Sequence, residues 1–192
     1  NRAEEIRLHL MALERRLTQL ESQKPAEDPS ASPKHPDDTG HVPTRFDEEL
    51  RGGDVCFGQR GYDVAERHFF RASVMNPASP VAYGRLALSA LVRGEYPEAW
   101  RLVRRACLLQ EGWIYISIRP VGLFASTTEY ENHLHRLQTF VRQNPSSLEA
   151  KLLLAYLYVH DLQQGQGPSS SLVQEVLAAS PDHADAKAFF RP

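Results

Sequence analysis

His133 and His135, two residues apart in ENHLHRL, and the cysteines Cys56 and Cys107 are the side chains with which to begin a search for chemistry. Imidazole and thiolate serve both metal binding and nucleophilic catalysis. On a helix, however, residues two apart point to different sides, so this His pair cannot converge on one ion. The other histidines are scattered, His68 and His160 read as ordinary surface or core residues, and no HExxH, glycine-rich phosphate loop or GxSxG motif occurs. The two cysteines lack the short Cys/His spacing of a zinc site and are too few for a disulfide framework; both are expected as unpaired core thiols. The acidic pair Asp37-Asp38 stands in a proline-rich stretch, where nothing would hold it at catalytic geometry. The expectation is therefore no enzyme, no cofactor and no metal, with binding as the remaining function.

Composition narrows the partner. The chain has 192 residues, with 22 Lys and Arg against 24 Asp and Glu, a balance that argues against nucleic acid or a membrane surface recognised through bulk charge. No apolar run reaches the roughly 18 residues needed to span a bilayer, and nothing at the start of the chain looks like a signal peptide. The chain begins at Asn1, so a targeting segment removed earlier is not excluded, and the compartment, cytoplasmic or periplasmic, stays open.

Three segments must position whatever binds. In residues 1–23, Ala3, Ile6, Leu10, Leu13, Leu17 and Leu20 alternate spacings of three and four, an a/d heptad seam with Arg16 at g and Glu21 at the following e. A helix this short is marginal alone in water. It associates with copies of itself, continues upstream, or packs on the rest of the chain; the even seam without an extra apolar flank favours a homo-oligomer, dimer or trimer. Residues 24–44 hold five prolines and few apolar side chains, the composition of a disordered or semi-extended linker. From Arg45 onward the pattern is helical.

That last region carries a period. Tyr62, Tyr96 and Tyr130 are spaced by 34, and Asn76-Pro77 returns as Asn144-Pro145 at twice that distance. RGYDVAERHFFRA returns as RGEYPEAWRLVRRA, so that Ala65 corresponds to Ala99 and Ala72 to Ala106. Small side chains at fixed places are needed where helices cross closely, and Gly53 and Ala87 supply them in the preceding helices. On these residues, 45–192 resembles a tetratricopeptide repeat domain. One unit carries Gly53, Tyr62, Ala65, Phe69, Ala72 and Pro77, and the next Ala87, Gly94, Tyr96, Ala99 and Ala106. In the third, Tyr130 keeps register but His133 stands where the small Ala would be; in the fourth, Ala155 fits a first helix, while the second helix is shifted by an insertion around QQGQGPSS.

The predicted fold is all-α: a tetratricopeptide-type helical-hairpin solenoid of about three to four units, the third irregular, behind a coiled-coil helix and a Pro-rich linker. Helices are expected near 46–59, 62–75, 80–93, 96–110, 127–143, 147–162 and 170–179, with a capping helix at 182–190. Ser79 before Pro80, Ser126 with Glu129, and Ser146 with Glu149 read as helix starts. The stretch GWIYISIRPVGLFAS, 112–126, departs from the pattern, with Pro120 and Gly122 in its interior and Ile114, Ile116 and Ile118 at alternate positions. Its helix is expected to be broken or replaced. The segment then either plugs the core or lines the groove and presents Trp113 and Tyr115 to a partner.

The resemblance implies that first helices line a concave face. The residues facing it would include Asp47, Leu50, Asp54 and Phe57, then Val81, Leu88 and Leu91, then Glu149, Leu152, Tyr156 and Val159. Family members that grip a C-terminal carboxylate use Lys, Arg and Asn on this face. Asp, Leu and Val at the matching positions point instead to an apolar or amphipathic segment, docked helix-in-groove. The same apolar residues would alternatively be covered by the chain's own capping helix or by Trp113–Phe124. The expected function is a non-catalytic protein–protein interaction scaffold that takes a peptide or helical segment of a partner and oligomerises through residues 1–23. Two alternatives remain: a structural subunit of a larger assembly, or an accessory domain of an enzyme complex. The order coiled coil, linker, repeat domain is similar, in architecture alone, to a periplasmic protein of the Tol–Pal envelope system.

Overall fold

Thr44 and Asp47 start the first helix by satisfying each other's backbone. Thr44 Oγ1 accepts from the Asp47 N–H at 3.3 Å, and the Asp47 carboxylate accepts from the Thr44 N–H at 2.9 Å. This reciprocal capping box opens α1 (Arg45–Gly58) and occupies donors that a helix start otherwise leaves unpaired. The computed structural model describes residues 44–113, 120–160 and 166–189. The heptad seam Ile6, Leu10, Leu13, Leu17 and Leu20, the proline-rich stretch up to Pro43, and Tyr115 lie outside the described residues.

The sequence period reappears in the backbone. Helices α2 (Tyr62–Met75) and α4 (Tyr96–Leu109) both begin at the repeated tyrosine and both run 14 residues. Between them lies α3 (Pro80–Arg93), with Pro80 in the first turn, where a missing N–H costs nothing. Each of the helices α1 and α3 hands over to its successor through a residue in the left-handed region: Gly94 at φ 79° and, 34 positions earlier, Arg60 at φ 64°. Glycine takes that conformation freely, whereas a side chain makes it costly at Arg60.

A short 3-10 turn, Pro120–Leu123, leads to α5 (Thr127–Gln143). The Ser126 side chain caps α5 by accepting from the Glu129 N–H at 3.2 Å. Then come α6 (Leu148–His160), α7 (Gln166–Ala179) and α8 (Ala184–Phe189). Among the described residues the regular structure is entirely helical. Helix α1 pairs with α2, α3 with α4 and α6 with α7; α2 packs on α3, and α4 packs directly on α6, which gives a helical-repeat-like stack. Helix α5 stands outside that succession and touches α6, the 3-10 turn and α3.

Small residues let the stack close. Ala65, Ala72, Ala99 and Ala106 are fully buried, and a methyl group on Gly53 would lie 2.3 Å from the buried Phe69 ring. Helix α6 is buried at every residue from Ala150 to Tyr158, the mark of a helix enclosed on all sides rather than on one face. The end is closed by α8, whose Asp185 accepts from Trp100 Nε1 at 3.2 Å and Arg104 Nε at 2.6 Å on α4.

Several expectations are corrected at this level. Helix α7 starts at Gln166 rather than near 170, and α8 spans Ala184–Phe189 rather than 182–190. Ser79 makes no side-chain cap, so Pro80 alone marks that start. Helix α6 begins at Leu148, which puts Ser147 rather than Ser146 ahead of its first residue. Cys56 and Cys107 are both free, but half-buried rather than in the core.

Gly53→Ala should lower stability by about 1–2 kcal/mol, because overpacking against Phe69 outweighs the helix propensity gained. On the same helix, Gly52→Ala meets the half-buried His68 ring at 3.2 Å, which can shift, and should cost less or stabilise. Urea denaturation of the two variants beside the parent checks the contrast.

Candidate interaction surface

An ion pair ties α1 to α3. Arg85 Nε donates to Asp54 Oδ1 at 2.7 Å and Nη2 donates to Oδ2 at 3.2 Å, the two-point fork of a guanidinium on a carboxylate. The Arg85 side chain is only 14% exposed, and its Nη1 is buried without a hydrogen-bond partner among the described residues. Tyr156 is buried on α6. Burial and then Cys107 push its hydroxyl above the usual tyrosine range, and Arg85 opposes that rise. The fork therefore joins α1 to α3, and Arg85 lies within electrostatic reach of Tyr156 on α6.

The residues that sequence reasoning assigned to the groove divide into two groups. Leu50, Asp54, Val81 and Val159 are half-buried and remain reachable. Phe57, Leu88, Leu91, Leu152 and Tyr156 are buried by the chain itself and contact no solvent-borne ligand in this conformation. At Phe57, 1% exposed, the cover is visible: its ring meets Phe124 and Tyr62 edge-on, each at 5.0 Å between centroids. Asp47 is spent on the capping box. Trp113 is 2% exposed, so it belongs to the interior and is not presented to a partner.

The cover continues as α5. Its buried stripe is Tyr130, Leu134, Leu137 and Val141, one helix face at spacings of four, three and four. Beside that stripe, Glu129 accepts from the Tyr62 hydroxyl and from Arg60 Nε, the latter at 3.0 Å. His133 lies edge-on to Tyr62 at 6.2 Å and against Phe124 at 5.6 Å. Further along, Arg136 reaches the Val92 carbonyl at 3.5 Å, Phe140 meets Tyr96 at 4.8 Å, and Gln138 Nε2 donates to the Tyr158 hydroxyl at 3.1 Å. Helix α5 thus crosses the α1–α2 turn, the α3–α4 turn and the end of α6. Two of the three repeated tyrosines, Tyr62 and Tyr96, are its anchors. Where α5 meets α6 and α7, a cleft of about 480 Å³ opens between Val141, Leu154 and Leu172, rimmed by the Lys151–Glu175 ion pair at 2.9 Å.

The electrostatics of this contact are set by burial. Burial first, then the hydrogen bond to Glu129, hold the Tyr62 hydroxyl protonated well above its ordinary range. Burial pushes the Glu129 carboxyl up, but the hydrogen bonds from Tyr62 and Arg60 outweigh it and leave the group below the ordinary value. The Cys107 thiol is pushed up to about 12 by burial and then by Asp185, so it is protonated and not nucleophilic at neutral pH. Among the described residues no group of three His, Cys, Asp or Glu side chains is placed to hold a metal ion.

Arg85, Glu129 and Arg60 were not found by sequence reasoning. Arg85 left a signal, since it is the single charge within PVAYGRLALSALV; Arg60 and Glu129 are 69 residues apart and left none. No protein-family model matches the chain, and no curated protein matches it.

A hydrogen bond to a charged acceptor contributes about 1.5–3 kcal/mol, so Tyr62→Phe should destabilise by about that much. A double-mutant cycle with Glu129→Gln should return most of it as coupling. The sign in pH comes from Glu129: its contribution is present above its ordinary value of 4.5 and is lost as pH falls through the lower folded value. Acid titration of stability should show that loss in the parent and a flatter profile in Glu129→Gln.

Proposed function

We propose that the chain is a non-catalytic scaffold of the tetratricopeptide type that takes an apolar or amphipathic segment of a partner protein on the face shared by α1, α3 and α6. The observation that carries this reading is the surface around the Asp54–Arg85 fork. Leu50 and Val81 stand half-exposed one turn before the two charged residues, so apolar contact area borders the two-point Asp54–Arg85 ion pair. Apolar walls around a few convergent polar groups are the usual make-up of a recognition site, and the Asp54 carboxylate, which remains reachable, would accept from an N–H of the incoming segment. The 34-residue spacing and its echo in the Arg60 and Gly94 turns support the family assignment.

The heptad seam of residues 1–23 adds valence to this reading. Several arms joined through a short coiled coil and a proline-rich linker would hold a weakly bound partner by raising its effective concentration.

Two measurements test the proposal. Light scattering of residues 1–192, of residues 44–192 and of Leu13→Asp should give an oligomer for the first and monomers for the other two; three monomers would remove the multivalent part. Val81→Asp, which places a charge on the apolar wall, should abolish retention of a partner that the parent captures, with the far-UV spectrum unchanged. If Val81→Asp and Leu50→Asp retain every protein that the parent does, the face is not the binding site.

A further inference from the structure

We infer that α5 is a strap, and that protonation of His133 releases it from the ends of the α1–α2 and α3–α4 pairs. The placement of the ring carries this. His133 is half-buried between Tyr62 and Phe124, and its Nδ1 is buried without a hydrogen-bond partner among the described residues. A neutral imidazole carries one N–H and one acceptor nitrogen, whereas the imidazolium carries an N–H on both nitrogens. Protonation would therefore place a charge and an unpaired donor in an aromatic enclosure.

The groups around His133 decide the sign. The α1–α2 turn contributes Arg60 and the Tyr62 hydroxyl, both engaged by Glu129 Oε1. The 3-10 segment contributes the uncharged Phe124 ring. From α5 itself, Glu129 one turn earlier favours the imidazolium and Arg136 one turn later opposes it. Burial and Arg136 prevail, and His133 is held below its ordinary value of 6.5. A base whose folded value is depressed binds its proton more readily when released. Docking is therefore complete above about pH 6.5, weakens as pH falls below it, and stops weakening below the folded value.

Of the helices, α5 is the one that can respond alone. It lies outside the succession in which α4 packs directly on α6; its own contacts are to α6, the 3-10 turn and α3. Its release would uncover the side of the Tyr62 and Tyr96 rings that it now occupies. That this would extend the binding face rests on the function proposed above; the release itself does not.

Hydrogen exchange measures the release without a partner. After correction for intrinsic rates, protection across residues 127–143 should fall several-fold, and at most about tenfold for one proton, between about pH 7.5 and 5.5. Helices α1 to α4 should keep theirs. His133→Phe, which fits the aromatic enclosure, and His133→Gln, which stays neutral, should both abolish the difference. Unchanged protection in the parent, the same fall in both variants, or an equal fall in every helix would each overturn the proposal. Failure here leaves the groove reading standing, and failure of partner capture leaves the strap standing.

Discussion

Helices that touch through side chains no larger than a methyl group are the constraint on which the rest of this chain depends. Ala65, Ala72, Ala99 and Ala106 bury little area of their own, yet each is fully inaccessible. Their contribution is geometric. They bring the backbones close enough for Phe57, Phe69, Tyr83, Leu91 and Val103 to interlock, and those large side chains supply the apolar burial that stabilises the stack. Gly53 is the extreme case, because the Phe69 ring occupies the volume of its absent Cβ. Since interiors are packed to crystal-like density, the arrangement tolerates no larger group there without displacing a neighbour.

In the third unit that constraint fails, and the helix leaves the stack. His133 stands 34 residues after Ala99 and 68 after Ala65, and an imidazole cannot lie between two closely packed backbones. Pro120, with no N–H and a ring that clashes in a helix interior, stands in a 3-10 turn where the period calls for an α-helix. Helix α5 has lost both requirements for a place in the stack. The position against α4 is taken by α6, which is buried on every side, with Lys151 its one charge there, and gains from enclosure. Helix α5, with an apolar stripe on one side and charged residues on the others, is stable where one face meets protein and the rest meets water, across the ends of the pairs.

The all-helical class and most helix starts among the described residues were legible in the sequence for this same reason. The 34-residue spacing of Tyr62 and Tyr96 marks the first residues of α2 and α4, and the small residues mark the contacts. The break after Leu109 could be read from Pro120 and Gly122, since both act on the local backbone. The candidate surface was legible only in part. Leu50, Asp54, Val81 and Val159 keep access to solvent, whereas Phe57 does not, because a face assigned by repeat position assumes an open array and takes no account of a later segment that lies across it. Position in the repeat says which way a side chain points, not what arrives to cover it. Pairings such as Arg60 with Glu129 depend on where α5 settles, and that is decided by exclusion from the stack rather than by any local pattern.

Apolar, small-residue faces have one weakness: neighbouring units offer similar surfaces, and similar surfaces can slide. Part-buried ion pairs answer it. Asp54–Arg85 joins α1 to α3, Glu66–Arg93 joins α2 to α3 at 2.5 Å, and Asp185 joins α8 to α4. Such pairs gain little net stability, because desolvation offsets most of the Coulomb attraction, but a shift of one turn would leave the most enclosed of these groups, Glu66 at 5% and Arg85 at 14% exposed, without their partners. They therefore penalise wrong registers far more than they reward the right one. The contacts of α5 are of another kind. They rest on half-buried aromatic edges and on a carboxylate whose chief partners, the Tyr62 hydroxyl and Arg60, lie near the surface, so water can replace them at lower cost. The same chemistry that fixes the stack in one register leaves the helix across it the more readily detached.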